Sequence, residues 1–279
     1  MSKNYSIREM NEHYTHRHEL RKGIFGERPY ANYGYWSKEG MSIDEAGDAL
    51  TDLIARELDV TQDDEILECG CGYGASAIHI ATKYKPKKII GIDVTDIRIQ
   101  TGKQLIKEND LERRVHIEFG DATHLDFDSE SFTKVMAIEC AFHFNTRKDF
   151  FHEAFRLLKA GGILVMTDIV PSLELNLSDY TFDQVREFLS ADAKRYCDEN
   201  IYSIDTYKRL LTETGFNSVK IYSIKDRVIL QFADHLEKVA QTSPPDAKER
   251  RLAVAKSFRN EFMFGGDYIV VRAKKPWEG

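Results

Sequence analysis

The sequence has no apolar run approaching the roughly 20 residues that a membrane-spanning helix needs. It carries only four cysteines in 279 residues, too few for a disulfide framework in a chain of this length. Internal repeats and low-complexity tracts are absent. There is no excess of positive charge either: 39 Lys and Arg against 46 Asp and Glu leave a formal net charge of −7. A phosphate backbone is held chiefly by clustered Lys and Arg, so nucleic acid is not the expected partner. The first twenty residues are polar and rich in histidine, without the apolar region of a secretory signal. What remains is ordinary globular composition, 42% hydrophobic and 30% charged. It predicts a cytoplasmic protein with one substantial core and no membrane span. The sequence carries no signal for or against association of copies into a homo-oligomer.

Short apolar runs alternate with amphipathic stretches from about Asp64 to Val170. Strands are expected at 65–69, 88–93, 115–119, 134–138 and 162–168, and helices at 75–84, 96–109 and 147–158. Alternation at this spacing implies βαβ units and a parallel sheet covered on both faces. Later, 217–224 and 267–273 read as strands that would complete a seven-stranded sheet. Ser203 can cap a helix that Gly215 ends. The stretches 178–200 and 229–262 read as helical insertions, the second broken at Ser243-Pro-Pro245. Ahead of the first strand, Ser42-Ile-Asp-Glu45 fits a capping box. The expected architecture is α/β: a Rossmann-like, seven-stranded, mostly parallel sheet with helices on both faces and a helical cap. Its parts are an N-terminal helical cap over 1–59, a ligand-binding core over 60–170, and the remainder of the sheet with its lid insertions over 171–279.

The strongest signal is Glu68-Cys-Gly-Cys-Gly-Tyr-Gly74, where the first strand meets the first core helix. Gly70, Gly72 and Gly74 let the backbone turn sharply and approach a ligand. Asp93 ends the next strand, where a carboxylate can accept both hydroxyl hydrogens of an adenosine ribose. Two ligand classes compete for this loop. A dinucleotide places its pyrophosphate behind G-x-G-x-x-G, but here the third glycine comes one residue early and Ala75 takes the later position. Glu68 beside the cradle would repel a pyrophosphate and attract a ligand bearing an ammonium and a sulfonium. S-adenosylmethionine has both, and a ribose for Asp93.

This segment resembles the class I S-adenosylmethionine-dependent methyltransferases over residues 60–170. Glu68 with Gly70, Gly72 and Gly74 resembles the family's first motif, around the methionine part of the cofactor. Asp93, followed by Val94, resembles the acidic ribose ligand. Gly120-Asp-Ala122 resembles the turn where Asp121 would bond the adenine amino group and Ala122 its ring edge. Lys159-Ala-Gly-Gly162 resembles the K-P-G-G turn into the fifth strand, with Ala160 in place of proline. Arg98 stands where related enzymes carry glutamine, at a cofactor-binding position.

The fourth strand runs into Ile138-Glu-Cys-Ala-Phe-His-Phe-Asn145. Ligands of open α/β sheets bind beyond the carboxyl ends of the strands. His143 and Asp168, after adjacent strands, are therefore expected to meet there as a general base and its orienting acid. The arrangement is similar to that of natural-product and sugar O-methyltransferases, whose E-x-x-x-H segment matches Glu139 to His143. That resemblance places Glu139 and Cys140 by the cofactor. Asn32-Tyr-Gly-Tyr-Trp36 resembles a segment that closes over the cofactor in these enzymes. It implies a cofactor contact for Tyr33 and an acceptor pocket bounded by Tyr35 and Trp36. Phe142, Phe144, Tyr180 and Tyr196 are the further pocket candidates, with Phe182, Phe188 and Phe262 as lid core.

Cys69 and Cys71 lack the further ligands zinc requires. His13, His16 and His18 do not share one helical face, and a solvated helix is the expectation for them. Asp121, Asp126 and Asp128 lack a matching ligand after the fourth strand, so the reaction is expected to be metal-independent. The function expected is methyl transfer from S-adenosylmethionine to a small organic acceptor, a hydroxyl first. C-methylation of a prenyl or other alkene substrate and N-methylation are the alternatives. A dinucleotide-dependent oxidoreductase or a non-catalytic binding module would be the departures.

Overall fold

The computed structural model describes residues 6–21, 23–172, 177–181, 183–185 and 197–277, with the side chains at 19–20 and 261–264 left out. The strands are β1 (Glu65–Cys69), β2 (Lys88–Asp93), β3 (Val115–Phe119), β4 (Phe132–Ile138), β5 (Leu158–Pro171), β6 (Asn217–Ser223) and β7 (Gly266–Lys274). The helices are α1 (Ile7–Leu20), α2 (Ile43–Glu57), α3 (Ala75–Lys83), α4 (Asp96–Glu108), α5 (Arg147–Leu157), α6 (Ile204–Thr214), α7 (Ile229–Gln241) and α8 (Pro245–Phe264).

The seven strands form one sheet in the order β3-β2-β1-β4-β5-β7-β6. Strands β1 to β5 pair in parallel, and β7 runs antiparallel to both β5 and β6. Side chains alternate between the faces with the period of two that a strand imposes. On β5, Ile163, Val165 and Ile169 join the core under α2, α3, α4 and α7, while Leu164, Met166 and Val170 join the core under α5 and α6. Strand β5 runs beyond its expected end at 168 because antiparallel pairing with β7 continues to Pro171↔Gly266.

Local signals hold where capping chemistry is explicit. Ser42 and Glu45 close a capping box on α2. Ser203 caps α6, which ends at Gly215 in the left-handed conformation (φ +115°). The expected break between α7 and α8 falls at residues 242–244. Much of the helix expected over 178–200 lies outside the described residues. Its flanks include 3-10 turns at Leu177–Asp179 and Asp198–Asn200.

The topology sets the site. The chain winds outward from β1 to β3, then returns across β1 to make β4. Loops leaving β1 and β4 therefore diverge, and the crevice between them is where ligands of such sheets bind.

Candidate active site

A cavity of about 530 Å³ opens at that crevice, roofed by α1, α7 and α8. Its floor is the glycine loop. Gly70 adopts φ +69°, and a Cβ there would lie 2.6 Å from Cys140 Sγ, so only glycine lets the two loops approach. Asp93 is fixed by its backbone neighbours. The Gly72 N–H donates to Oδ2 and the Thr95 N–H to Oδ1, each at 2.8 Å. Asp121 accepts the Thr123 N–H and hydroxyl at 2.9 and 2.8 Å, which shapes the turn after β3. Glu68 is buried, and burial together with the nearby charge of Asp93 pushes its carboxyl up to about 8.

Buried polar atoms without a partner mark where a polar ligand fits. Among the described contacts, Glu68 Oε2, Thr95 Oγ1 and Arg98 Nε are such atoms, and all three residues line the cavity. Glu68 and Thr95 offer oxygens and Arg98 an N–H donor, so this floor, with a backbone-fixed Asp93, suits a nucleoside that carries both a cation and a carboxylate. The residues that could hold S-adenosylmethionine are therefore present.

The loop after β4 supplies the second wall. Glu139 takes a left-handed conformation (φ +51°). Its Oε1 accepts the Tyr33 N–H at 2.8 Å and the Tyr268 hydroxyl at 2.5 Å. Burial raises its carboxyl to about 8. The Cys140 thiol donates to the Cys69 carbonyl at 3.1 Å. His143 Nε2 and the Tyr14 hydroxyl of α1 share a 2.6 Å hydrogen bond. Burial raises the Tyr14 pKa, so the phenol stays neutral.

The structure gives Asp168 a role other than the expected one. Asp168 lies within β5, on the face toward α5 and α6, and is fully buried. Its Oδ2 is 2.8 Å from Arg147 Nε and accepts the Tyr207 hydroxyl at 2.9 Å. It does not line the cavity that holds His143. The expected His143–Asp168 pairing assumed that β5 ends at the aspartate. Because the strand continues, the side chain is turned to the α5 side. Arg147 and Asn200 carry the connection onward. Asn200 Oδ1 accepts the Arg147 N–H at 2.7 Å, and its amide group donates to the Phe142 and Phe144 carbonyls at 3.2 and 2.8 Å, on either side of His143.

Other placements follow. Tyr33, Glu68, Gly70, Gly72, Asp93, Val94, Arg98, Asp121, Ala122, Glu139 and Cys140 line the cavity together with Phe142, His143 and Phe144. Gly74 does not; it is the left-handed N-cap of α3, close against Ile117. Trp36 lines a separate groove, its Nε1 donating to the Tyr33 carbonyl. Tyr35 packs on the core without reaching the cavity. Tyr180 is exposed and away from it. Tyr196, Phe182 and Phe188 lie outside the described residues, as does the side chain of Phe262.

Helix α1 is not the solvated helix expected from its histidines. His13, Tyr14, His16, Arg17 and Arg21 line the cavity, and His18 Nδ1 meets the Tyr73 hydroxyl at 2.7 Å. The signal was the spacing of Met10, Tyr14, Arg17 and Arg21, one helical face whose members are mostly polar. Phe232 and Phe258 were missed as wall residues; Phe232 stacks on Tyr33 and Phe258 meets it edge-on, each with ring centroids 4.7 Å away.

A family model described as mycolic acid cyclopropane synthetase matches residues 1–237. The chain belongs to that family. It is an S-adenosylmethionine-dependent methyltransferase. The methyltransferase is 29% identical over 262 residues to erythromycin 3''-O-methyltransferase of Saccharopolyspora erythraea, covering 90% of this chain and 85% of that one. It is 27% identical over 272 residues to 27-O-demethylrifamycin SV methyltransferase of Amycolatopsis mediterranei, covering 92% and 93%. The cyclopropane synthase MmaA2 from Mycobacterium tuberculosis shares the fold with a TM-score of 0.81 at 17% identity, over 98% and 99% of the chains. A geranyl diphosphate C-methyltransferase from Streptomyces coelicolor does so with 0.72 at 15%, over 98% and 100%. Among the described residues, no helix is long and apolar enough to cross a membrane.

Proposed function

We propose that the methyltransferase acts on a hydroxyl of a small organic acceptor, with His143 as the general base. When bound, S-adenosylmethionine supplies an electrophilic methyl carbon on a sulfonium. Glu68, Gly70 and Glu139 would surround its methionine end, Asp93 its ribose, and Asp121 with Ala122 its adenine. The observation that carries the base assignment is the imidazole of His143 in the cavity wall, hydrogen-bonded by the Tyr14 hydroxyl at 2.6 Å. Histidine is suited to accept a hydroxyl proton near neutral pH. A neutral Tyr14 that donates to Nε2 sets the ring's proton on Nδ1; an acceptor hydroxyl would then replace Tyr14 at Nε2 and hand over its proton there. Asp168 acts at a distance in this reading, through Arg147 and Asn200, on the loop that carries His143. The relatives named as O-methyltransferases support a hydroxyl acceptor.

A second reading rests on the aromatic wall. Tyr33, Phe232 and Phe258 present ring faces and edges to one another at the cavity, and π-faces stabilise a cation. C-methylation of an alkene would use that property, with His143 removing a proton afterwards.

A screen of hydroxylated and alkene acceptors with radiolabelled S-adenosylmethionine tests both. O-methylated product is expected, and His143→Ala should cut turnover about 10²–10⁴-fold while leaving S-adenosylhomocysteine affinity unchanged. Product methylated on carbon defeats the first reading. Undiminished turnover in His143→Ala removes the base assignment.

A further inference from the structure

Glu139 stands where β4 gives way to the loop that carries His143. Its φ of +51° lies in the left-handed region, which residues with a Cβ seldom adopt. Neighbouring strands hold it there. Its N–H is 3.2 Å from both the carbonyl and the hydroxyl oxygen of Thr167 on β5. Its carboxyl is held by one oxygen only. Oε1 accepts the Tyr33 N–H at 2.8 Å and the Tyr268 hydroxyl at 2.5 Å, and Oε2 takes no hydrogen bond among the described contacts. Glu139 lines the cavity; Tyr268 does not.

Tyr268 sits in β7 beside Ile269, Val270 and Val271, and all four are fully buried. Apolar packing alone would be served by a phenylalanine, whereas a buried phenol needs a polar partner. Its hydroxyl lies between Glu139 Oε1 and Thr167 Oγ1, the latter at 3.2 Å. Burial first, and then the charge of Glu139, push the Tyr268 pKa well up, so the phenol keeps its proton and donates it. A hydroxyl donor this close favours the ionised form of the carboxyl. Both hydrogen bonds fall on Oε1. The proton that Glu139 holds at neutral pH in the ligand-free protein, where burial raises it to about 8, therefore belongs on Oε2. That oxygen is the one left for a ligand. The same carboxyl also reaches the aromatic wall, because the Tyr33 ring meets Phe232 and Phe258 there.

We propose that Tyr268 is a positioning residue for methyl transfer: it aims Glu139 so that one carboxylate oxygen fixes the Tyr33 wall while the other faces the sulfonium of the cofactor. This rests on the cavity being the methyl-transfer site. A phenol that only satisfied its own hydroxyl in the core would not affect how the protein tells a sulfonium from a neutral thioether.

The probes are S-adenosylmethionine and S-adenosylhomocysteine, which differ by one methyl group and the positive charge on sulfur. Each is titrated calorimetrically into the wild-type protein, Tyr268→Phe, Glu139→Gln and the double variant. Tyr268→Phe keeps the ring; it should weaken S-adenosylmethionine about tenfold and leave S-adenosylhomocysteine within about twofold. Glu139→Gln should lower the preference for the sulfonium at least as far. Within Glu139→Gln, adding Tyr268→Phe should cost less than about twofold more, since the phenol acts through the carboxylate. A folded Tyr268→Phe protein that loses both ligands alike, or neither, overturns the proposal, as does full additivity of the two substitutions. Should Tyr268→Phe not fold, Glu139→Gln carries the test, and an unchanged ratio of the two affinities there overturns the proposal. Wild-type protein that binds neither probe brings down the methyl-transfer reading and the proposal with it. Wild-type binding of both, with an unmoved ratio in the variants, brings down the proposal alone.

Discussion

Glu68 and Glu139 bring two carboxyl groups to one cavity, each pushed up to about 8 by burial. In the ligand-free protein both are largely protonated at neutral pH. Glu68 is therefore not a standing anion that repels pyrophosphate; it becomes one when a cation arrives and draws its pKa down. The sign of the stability effect follows. A carboxyl whose pKa is raised in the folded state holds its proton more tightly there than in the unfolded chain. Its stabilisation is complete below the ordinary carboxylate range and is lost as pH rises through about 8. The ligand-free protein should lose stability between about pH 5 and 8, and Glu68→Gln should flatten that slope. Binding of S-adenosylmethionine near pH 7 should release protons, measured as a dependence of the calorimetric enthalpy on the buffer's ionisation heat. Glu68→Gln should reduce the release. Proton uptake, or no buffer dependence, would show that the cation does not sit beside these carboxyls.

At the scale of elements, the loop between β4 and α5 is held from outside. Asn200 binds the carbonyls on either side of His143, Arg147 binds Asn200, and Asp168 binds Arg147. The Arg147 guanidinium also lies over the Tyr202 and Tyr207 rings at 5.0 and 4.9 Å. Asp168→Asn leaves a fully buried guanidinium without its counter-charge, and a loss of about 3–5 kcal/mol in unfolding free energy is expected, read by urea denaturation. Asn200→Ala should cost about 1–3 kcal/mol and speed amide exchange over 141–145, with S-adenosylhomocysteine affinity unchanged. Unaltered exchange there would mean that the loop holds its shape alone. This cluster explains a limit of sequence reading. The strands, helix caps and glycine loop announce themselves through alternation, capping chemistry and glycine spacing, all of them local. The Asp168–Arg147 contact joins residues on separate elements, and its direction depends on β5 continuing to Pro171. That continuation is set by β7, about a hundred residues later in the chain. Adjacent strands correctly placed Asp168 in the strand beside the one leading to His143. The parity of β5 then turned its side chain away.

For the whole molecule, the seven-stranded, mostly parallel sheet was legible from the alternation of strands and helices, and the floor of the site because each motif lies at the end of a strand. The roof was not. Helices α1, α7 and α8 meet over the cavity by tertiary packing, and the polar face of α1 reads like a solvent face until Asn11 meets Asp96 and His18 meets Tyr73. A cavity enclosed between sheet edge and helical roof couples ligand binding to global stability, since the unfolded chain has no such enclosure. S-adenosylhomocysteine at a hundred times its dissociation constant should add about 2.7 kcal/mol. For a domain of this size that is a rise of roughly 5 °C in melting temperature, measurable by scanning fluorimetry. Asp93→Ala should abolish the rise, because the carboxylate that Gly72 and Thr95 aim into the cavity would be gone. NADH at the same concentration should move the melting temperature far less: a diphosphate brings no cation to match Glu68 and Glu139, so it gains none of the charge pairing that a sulfonium and an ammonium would gain. A rise with NADH equal to that with S-adenosylhomocysteine would mean that the floor selects for adenosine alone, and that the buried carboxyls play no part in choosing the ligand.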